Sequence, residues 1–193
     1  MKERIAKIIR IATIPPIMAL VLLVTVYIFR PLTFGNVTNF LLSVVFLVLF
    51  PILAYPLQRF IPQFKNEGRN GQRTLAILLS NAGYLFGVIA AIPSAFLKER
   101  LIIHFTYFFS GLLILVFNKF FKIRASGHAC GVTGLIVVLI YFFGSSALWS
   151  LFLLAGIYWA SLTIKRHTKS ELLLGTSLPI VALFLSVFLV KII

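Results

Sequence analysis

The stretch KFFKIRASGHACGVTGLIVVLIYFF, Lys119 to Phe143, changes character in its middle. Its first half gathers Lys119, Lys122, Arg124, Ser126, Gly127 and His128; from Leu135 onward it is apolar. That is a basic loop feeding a helix with no polar face to offer water, which belongs in a bilayer or a large core. N–H groups in the first turn of such a helix lack intrahelical partners, and together with the positive end of the helix dipole they favour an anion. Gly127 places no side chain between that anion and the backbone. The same residues also describe an ordinary membrane-flanking loop with an interfacial histidine.

Composition decides between bilayer and core. Hydrophobic residues make up 61% of the 193 positions and charged residues only 11%, and mean hydropathy is +1.07. These values lie outside the range of soluble domains. Apolar runs recur at residues 11–29, 40–57, 75–97, 101–117, 126–143, 148–164 and 172–190, with no polar block large enough to fold alone. The expected fold is an all-α membrane protein, a single-domain polytopic bundle of seven transmembrane helices. Residues 1–35 hold an additional N-terminal span, too long and without a small-residue cleavage site to be a signal peptide.

The formal net charge of +14 comes from cations dispersed between the apolar runs. That distribution suits anionic lipid head groups as partners and not nucleic acid. With seven spans, only Arg30, Lys98, Arg100 and Lys191 of the 18 lysines and arginines fall on one face. The other face, which holds the N-terminus, is expected to be cytoplasmic. The single cysteine, Cys130, excludes an intrachain disulfide and reads as a packing residue.

Local signals add detail. Pro15-Pro16 should kink or delay the first span. Residues 58–74 read as the longest polar loop, with Gly68 and Asn70-Gly71 as turn residues. Gly83 and Gly87, four apart, permit close helix approach. Residues 98–100 read as a tight hairpin, His104 as an interfacial, solvated histidine, and Trp149, Tyr158 and Trp159 as lipid-facing anchors.

Two spans after His128, and so on the same face, stand His167 and Glu171. Their spacing of four lets both project to one side of a first helical turn. A carboxylate there can accept a hydrogen bond from one imidazole nitrogen, making the other a better nucleophile or base. Thr168-Lys-Ser-Glu171 also has the spacing of a capping box, which explains Glu171 but not His167.

Arg-Ala-Ser-Gly-His128, with Arg166-His-Thr-Lys-Ser-Glu-Leu-Leu-Leu-Gly175 downstream, resembles the second and third signature motifs of the type 2 phosphatidic acid phosphatase superfamily. The resemblance covers about residues 40–190 and implies a six-helix phosphatase core (36–193) preceded by one added helix. It implies a lipid-phosphate phosphatase, with His167 as nucleophile forming a phosphohistidine, Glu171 as its orienter and His128 as general acid. Lys119, Lys122, Arg124, Ser126, Gly127 and Arg166 would bind phosphate, and neither metal nor other cofactor is implied. The substrate would be phosphatidate, phosphatidylglycerophosphate or a polyprenyl diphosphate. A non-hydrolytic lipid-phosphate binding or transport protein is the alternative on the same scaffold.

The chain departs from the family pattern in four places. Ala125 stands for proline and Glu171 for aspartate. Ser161 stands where the third motif has arginine, removing one phosphate clamp unless Arg166 substitutes. The first motif has no clean match: Lys119, Lys122 and Arg124 occupy its place in compressed form, while Lys65 to Arg73 has similar composition but precedes the wrong span.

Overall fold

The computed structural model describes residues 1–94 and 96–192. Helices α1 (Lys2–Ala12), α2 (Pro15–Phe29), α3 (Val37–Val44), α4 (Phe50–Leu57), α5 (Pro62–Lys65), α6 (Gly68–Ala91), α7 (Lys98–Lys119), α8 (Gly127–Phe143), α9 (Leu151–Thr163) and α10 (Lys169–Ile192) follow in order, and there is no strand among the described residues. Five helical stretches are long and apolar enough to cross a membrane, or six if the bent pair α1 and α2 is one span. The protein is therefore an all-helical membrane bundle.

The N-terminal part is bent where the two prolines stand, and the regular helix of the first span is delayed to Pro15. Pro15 and Pro16 sit at the first positions of α2, where a missing N–H costs nothing, and the basic N-terminus is itself helical. The two helices meet at 55°. α1 turns Ile5, Ile8 and Ile11 outward and buries Ala6, an arrangement suited to the membrane interface. It packs along α9, and α2 packs along α8.

Residues 127–163 do not form one straight rod. The guanidinium of Arg10 hydrogen-bonds Ser161 Oγ in α9 and lies against His128 at the start of α8. A straight helix would hold those two residues roughly 50 Å apart. The chain therefore turns back through the 3₁₀ segment Gly144–Ser150, begun by Gly144 at φ +63°.

Three expectations are corrected at the helix ends. Residues 68–74 are not a loop: α6 already starts at Gly68, whose φ of +54° supplies the turn, and Gly71 is buried against the backbone of α5 at Phe64. Residues 98–100 form the first turn of α7 in place of a hairpin, with Arg100 fully buried and donating to Asn39 Oδ1 at 3.0 Å. His104 is not solvated; it is fully buried, and its Nε2 donates to Ser43 Oγ at 2.9 Å, since the serine proton goes to Asn39 O. His104 thus ties α7 to α3 at the end of the bundle opposite His128. Trp149 and Trp159 are exposed as anchors should be, whereas the Tyr158 hydroxyl meets Thr176 Oγ1 at 2.9 Å and joins α9 to α10.

Close packing of α6 depends on its small residues. A Cβ at Gly83 would lie 2.6 Å from Phe46 O, and one at Gly87 would lie 2.7 Å from His104 Nδ1. Gly83→Val should therefore cost about 1–3 kcal/mol by overpacking and lower the melting temperature in detergent. Gly156→Ala, with nothing within 4 Å of its Cβ, should not; equal melting of both variants would contradict this packing.

Candidate functional site

α8 and α10 begin side by side. Ser126 caps α8, its buried Oγ accepting from Ala129 N at 3.3 Å. Its own N–H donates to the carbonyl of Glu171, in the first turn of α10, at 3.0 Å. Gly175 lies one turn further along α10 and makes this approach possible, because a Cβ there would overlap Ser126 O and stand 3.0 Å from Ser126 N.

At the start of α10 the capping box and the histidine pair share one carboxylate. Thr168 Oγ1 accepts from Glu171 N at 3.3 Å, and Glu171 Oε2 accepts from Thr168 N at 3.1 Å. The same Oε2 lies 2.8 Å from His167 Nδ1, so Nδ1–H donates to it and Nε2 keeps its lone pair. Burial lowers the His167 pKa from the ordinary 6.5, while the Glu171 hydrogen bond opposes that shift. Lys165, at φ +52°, ends α9 and turns the chain toward His167.

A cavity of about 480 Å³ opens between these helix starts and runs inward among α6, α7 and α8. Both His128 and His167 line it, and Arg10, Arg69, Arg73, Arg124, Lys165 and Arg166 surround its mouth. No aspartate or glutamate lines it among the described residues. Six cations converge with one carboxylate nearby, that of Glu171 behind His167, so their mutual repulsion favours an anion between them.

The expected site residues fall into two groups. His128, His167, Arg124, Gly127 and Arg166 line the cavity, and Glu171 backs it through His167. Ser126 does not line it and is spent on the helix cap. Lys119, the last residue of α7, and Lys122, in the loop after it at φ +54°, are exposed and do not line the cavity. Their place is taken by Arg69 and Arg73, because the early start of α6 carries these cations into the bundle. Arg73 Nη2 donates to Asn118 Oδ1 and, at 3.3 Å, to Ala125 O, anchoring α6 to the loop before α8.

Arg10 carries no signal of its role in the sequence. Its Nη1 donates to Ser161 Oγ at 2.8 Å, its Nη2 lies 3.4 Å from His128 Nδ1, and its carbonyl accepts from His128 Nε2 at 3.1 Å. A guanidinium from α1 therefore stands at the position where Ser161 replaces arginine. Gly131 allows this, since a Cβ there would lie 2.8 Å from Pro15 Cα, at the start of α2. Both nitrogens of His128 are engaged by Arg10, so any donation from His128 to a substrate requires that contact to open. Comparison with protein-family models, curated proteins and solved structures finds no match to this chain.

Burial holds His167 below the ordinary imidazole range. Acylation by diethyl pyrocarbonate, which needs the neutral ring, should follow a midpoint below pH 6.5 at His167, and Glu171→Gln should move it lower still by removing the group that stabilises the cation. A midpoint at or above that of free histidine would contradict the burial argument.

Proposed function

We propose that the protein is a membrane-embedded phosphatase acting on a phosphomonoester or diphosphate carried by a lipid. One observation carries this: two imidazoles, one backed by a carboxylate, open on a single cavity ringed by cations. His167 Nε2 would attack phosphorus, and the bond to the leaving oxygen would break as the alcohol or phosphate takes up a proton. Water would then cleave the phosphohistidine and release orthophosphate. The surrounding guanidinium and ammonium groups would stabilise charge on the transferring phosphoryl oxygens. These steps use side chains alone. His128 would supply the leaving-group proton once its Nε2–H is released from the Arg10 carbonyl.

The resemblance to the type 2 phosphatidic acid phosphatases favours the same chemistry, and the fold-back at Gly144–Ser150 favours a seven-span count, with α1 and α2 as the addition to a six-helix core. Charge asymmetry favours a cytoplasmic mouth; labelling of Lys169→Cys in a Cys130→Ala background from outside intact cells would refute that orientation. The engagement of both His128 nitrogens favours the second reading, a protein that binds lipid phosphate without hydrolysing it.

Purified protein in metal-free detergent solution should release phosphate from a phosphatidate or polyprenyl diphosphate. His167→Ala should reduce that rate by about a thousandfold or more, and the wild-type rate should fall with pH as His167 protonates. Saturable binding with no released phosphate, unchanged in His167→Ala, would instead select the second reading.

Arg10 provides an independent check. Arg10→Ala should raise KM about tenfold by removing a phosphate clamp, and adding Ser161→Arg should recover most of the loss by bringing a guanidinium back from α9. An unchanged KM in Arg10→Ala would remove Arg10 from the site.

A further inference from the structure

Two guanidiniums at the cavity mouth are anchored by the protein without being neutralised. Arg73 Nη2 donates to Asn118 Oδ1 and, at 3.3 Å, to Ala125 O, and Arg10 Nη1 donates to Ser161 Oγ at 2.8 Å. All three of these acceptors are uncharged. A carboxylate in place of Asn118 or Ser161 would bind its arginine more strongly, because a charge-assisted pair adds Coulomb attraction to the hydrogen bond. It would also cancel the charge on which anion binding depends.

Asn118 shows how the anchoring works. It is the penultimate residue of α7, half-buried, and its Nδ2 donates to Ile114 O at 2.8 Å, one turn back. An amide has a donor end and an acceptor end, so committing the NH₂ group to the α7 backbone leaves Oδ1 for Arg73. Both hydrogen bonds of the Arg73 side chain fall on Nη2, and among the described residues its Nη1 and Nε have no protein partner. The guanidinium is thus fixed at one corner, and the rest of its fork remains for a ligand in the cavity that Arg73 lines. Glu171 does not take over the acceptor role, because its carboxylate receives His167 Nδ1–H and Thr168 N–H. Asn118 itself does not line the cavity, so its influence on a ligand there passes through Arg73.

We propose that Asn118 is a positioning residue of the anion site: its amide oxygen holds the Arg73 guanidinium at the cavity while leaving that group its full charge. The role rests on the anion reading of the mouth and adds to it a residue that touches no ligand. It differs from a plain tie between α6 and α7 in one respect. A tie gains from a stronger acceptor, whereas a charge-sparing anchor loses its purpose when the acceptor becomes an anion.

The test is calorimetry of orthophosphate binding to the full-length protein in detergent, with the melting temperature of each variant measured alongside. Asn118→Asp keeps an acceptor for Arg73 and sets a negative charge beside clustered cations, which outweighs its place in the last turn of α7, where the helix dipole disfavours an anion. Its melting temperature should equal or exceed that of the wild type, while its affinity for orthophosphate should fall about tenfold. Asn118→Ala frees the guanidinium without changing any charge and should weaken orthophosphate binding about threefold. In an Arg73→Gln background the same alanine should change affinity no further, since the asparagine acts through that arginine. Unchanged or tighter orthophosphate binding by Asn118→Asp, or an equal loss from Asn118→Ala with and without Arg73, would overturn the role of Asn118 and leave the anion site standing. Absence of orthophosphate binding by the wild type would overturn the site and this role together.

Discussion

The site depends on one residue used twice. The backbone carbonyl of Glu171 receives the N–H of Ser126 and fixes where α8 begins, while its carboxylate receives His167 Nδ1–H and fixes the tautomer of that ring. Two motifs about forty residues apart in sequence are thereby locked to a common origin. Gly175 makes the lock possible, because any side chain there would push the Ser126 backbone off α10. Displacing the two helices by the width of a methyl group would pull His128 and His167 out of the alignment in which both line one cavity.

Electrostatics then explains why α1 is folded back over the core. Positive side chains around the cavity mouth raise one another's energy, and the low-dielectric surroundings screen them poorly. Arg10 joins that cluster with hydrogen bonds to Ser161 and His128 and, among the described residues, with no carboxylate partner. Such an arrangement is unfavourable for folding alone and favourable once a multiply charged anion arrives. The contact with His128 also couples the two: an anion that engages Arg10 loosens the ring beside it.

What the sequence discloses follows the range of the interactions. The capping box of Thr168 and Glu171 and the His167–Glu171 pair join residues three or four positions apart and are legible; the Ser126 cap is equally local, but the motif resemblance assigns that hydroxyl to phosphate. Gly83 and Gly87 are legible as close-packing positions because helix contact needs small residues at that spacing. Arg10 is not, since its partners are 118 and 151 residues away and nothing local distinguishes it from the other N-terminal cations. Lys119 and Lys122 show the opposite case: they lie near the motif in sequence, yet both are exposed and neither lines the cavity. Arg69 and Arg73 depend on where α6 starts, and the glycine-rich composition of residues 68–71 disguises a helix as a loop. His104 looks interfacial by its distance from Lys98, yet α7 is buried from Arg100 through Tyr107 and takes the ring with it.

The convergence of two imidazoles on one anion is tested most directly by ¹⁵N NMR of histidine-labelled protein titrated with orthophosphate. The account predicts that the ring resonances of His128 and His167, assigned with His128→Asn and His167→Asn, shift together along one binding curve with a common Kd while His104 stays still. Movement of only one of the pair, or two separate affinities, would show that the rings do not share an anion.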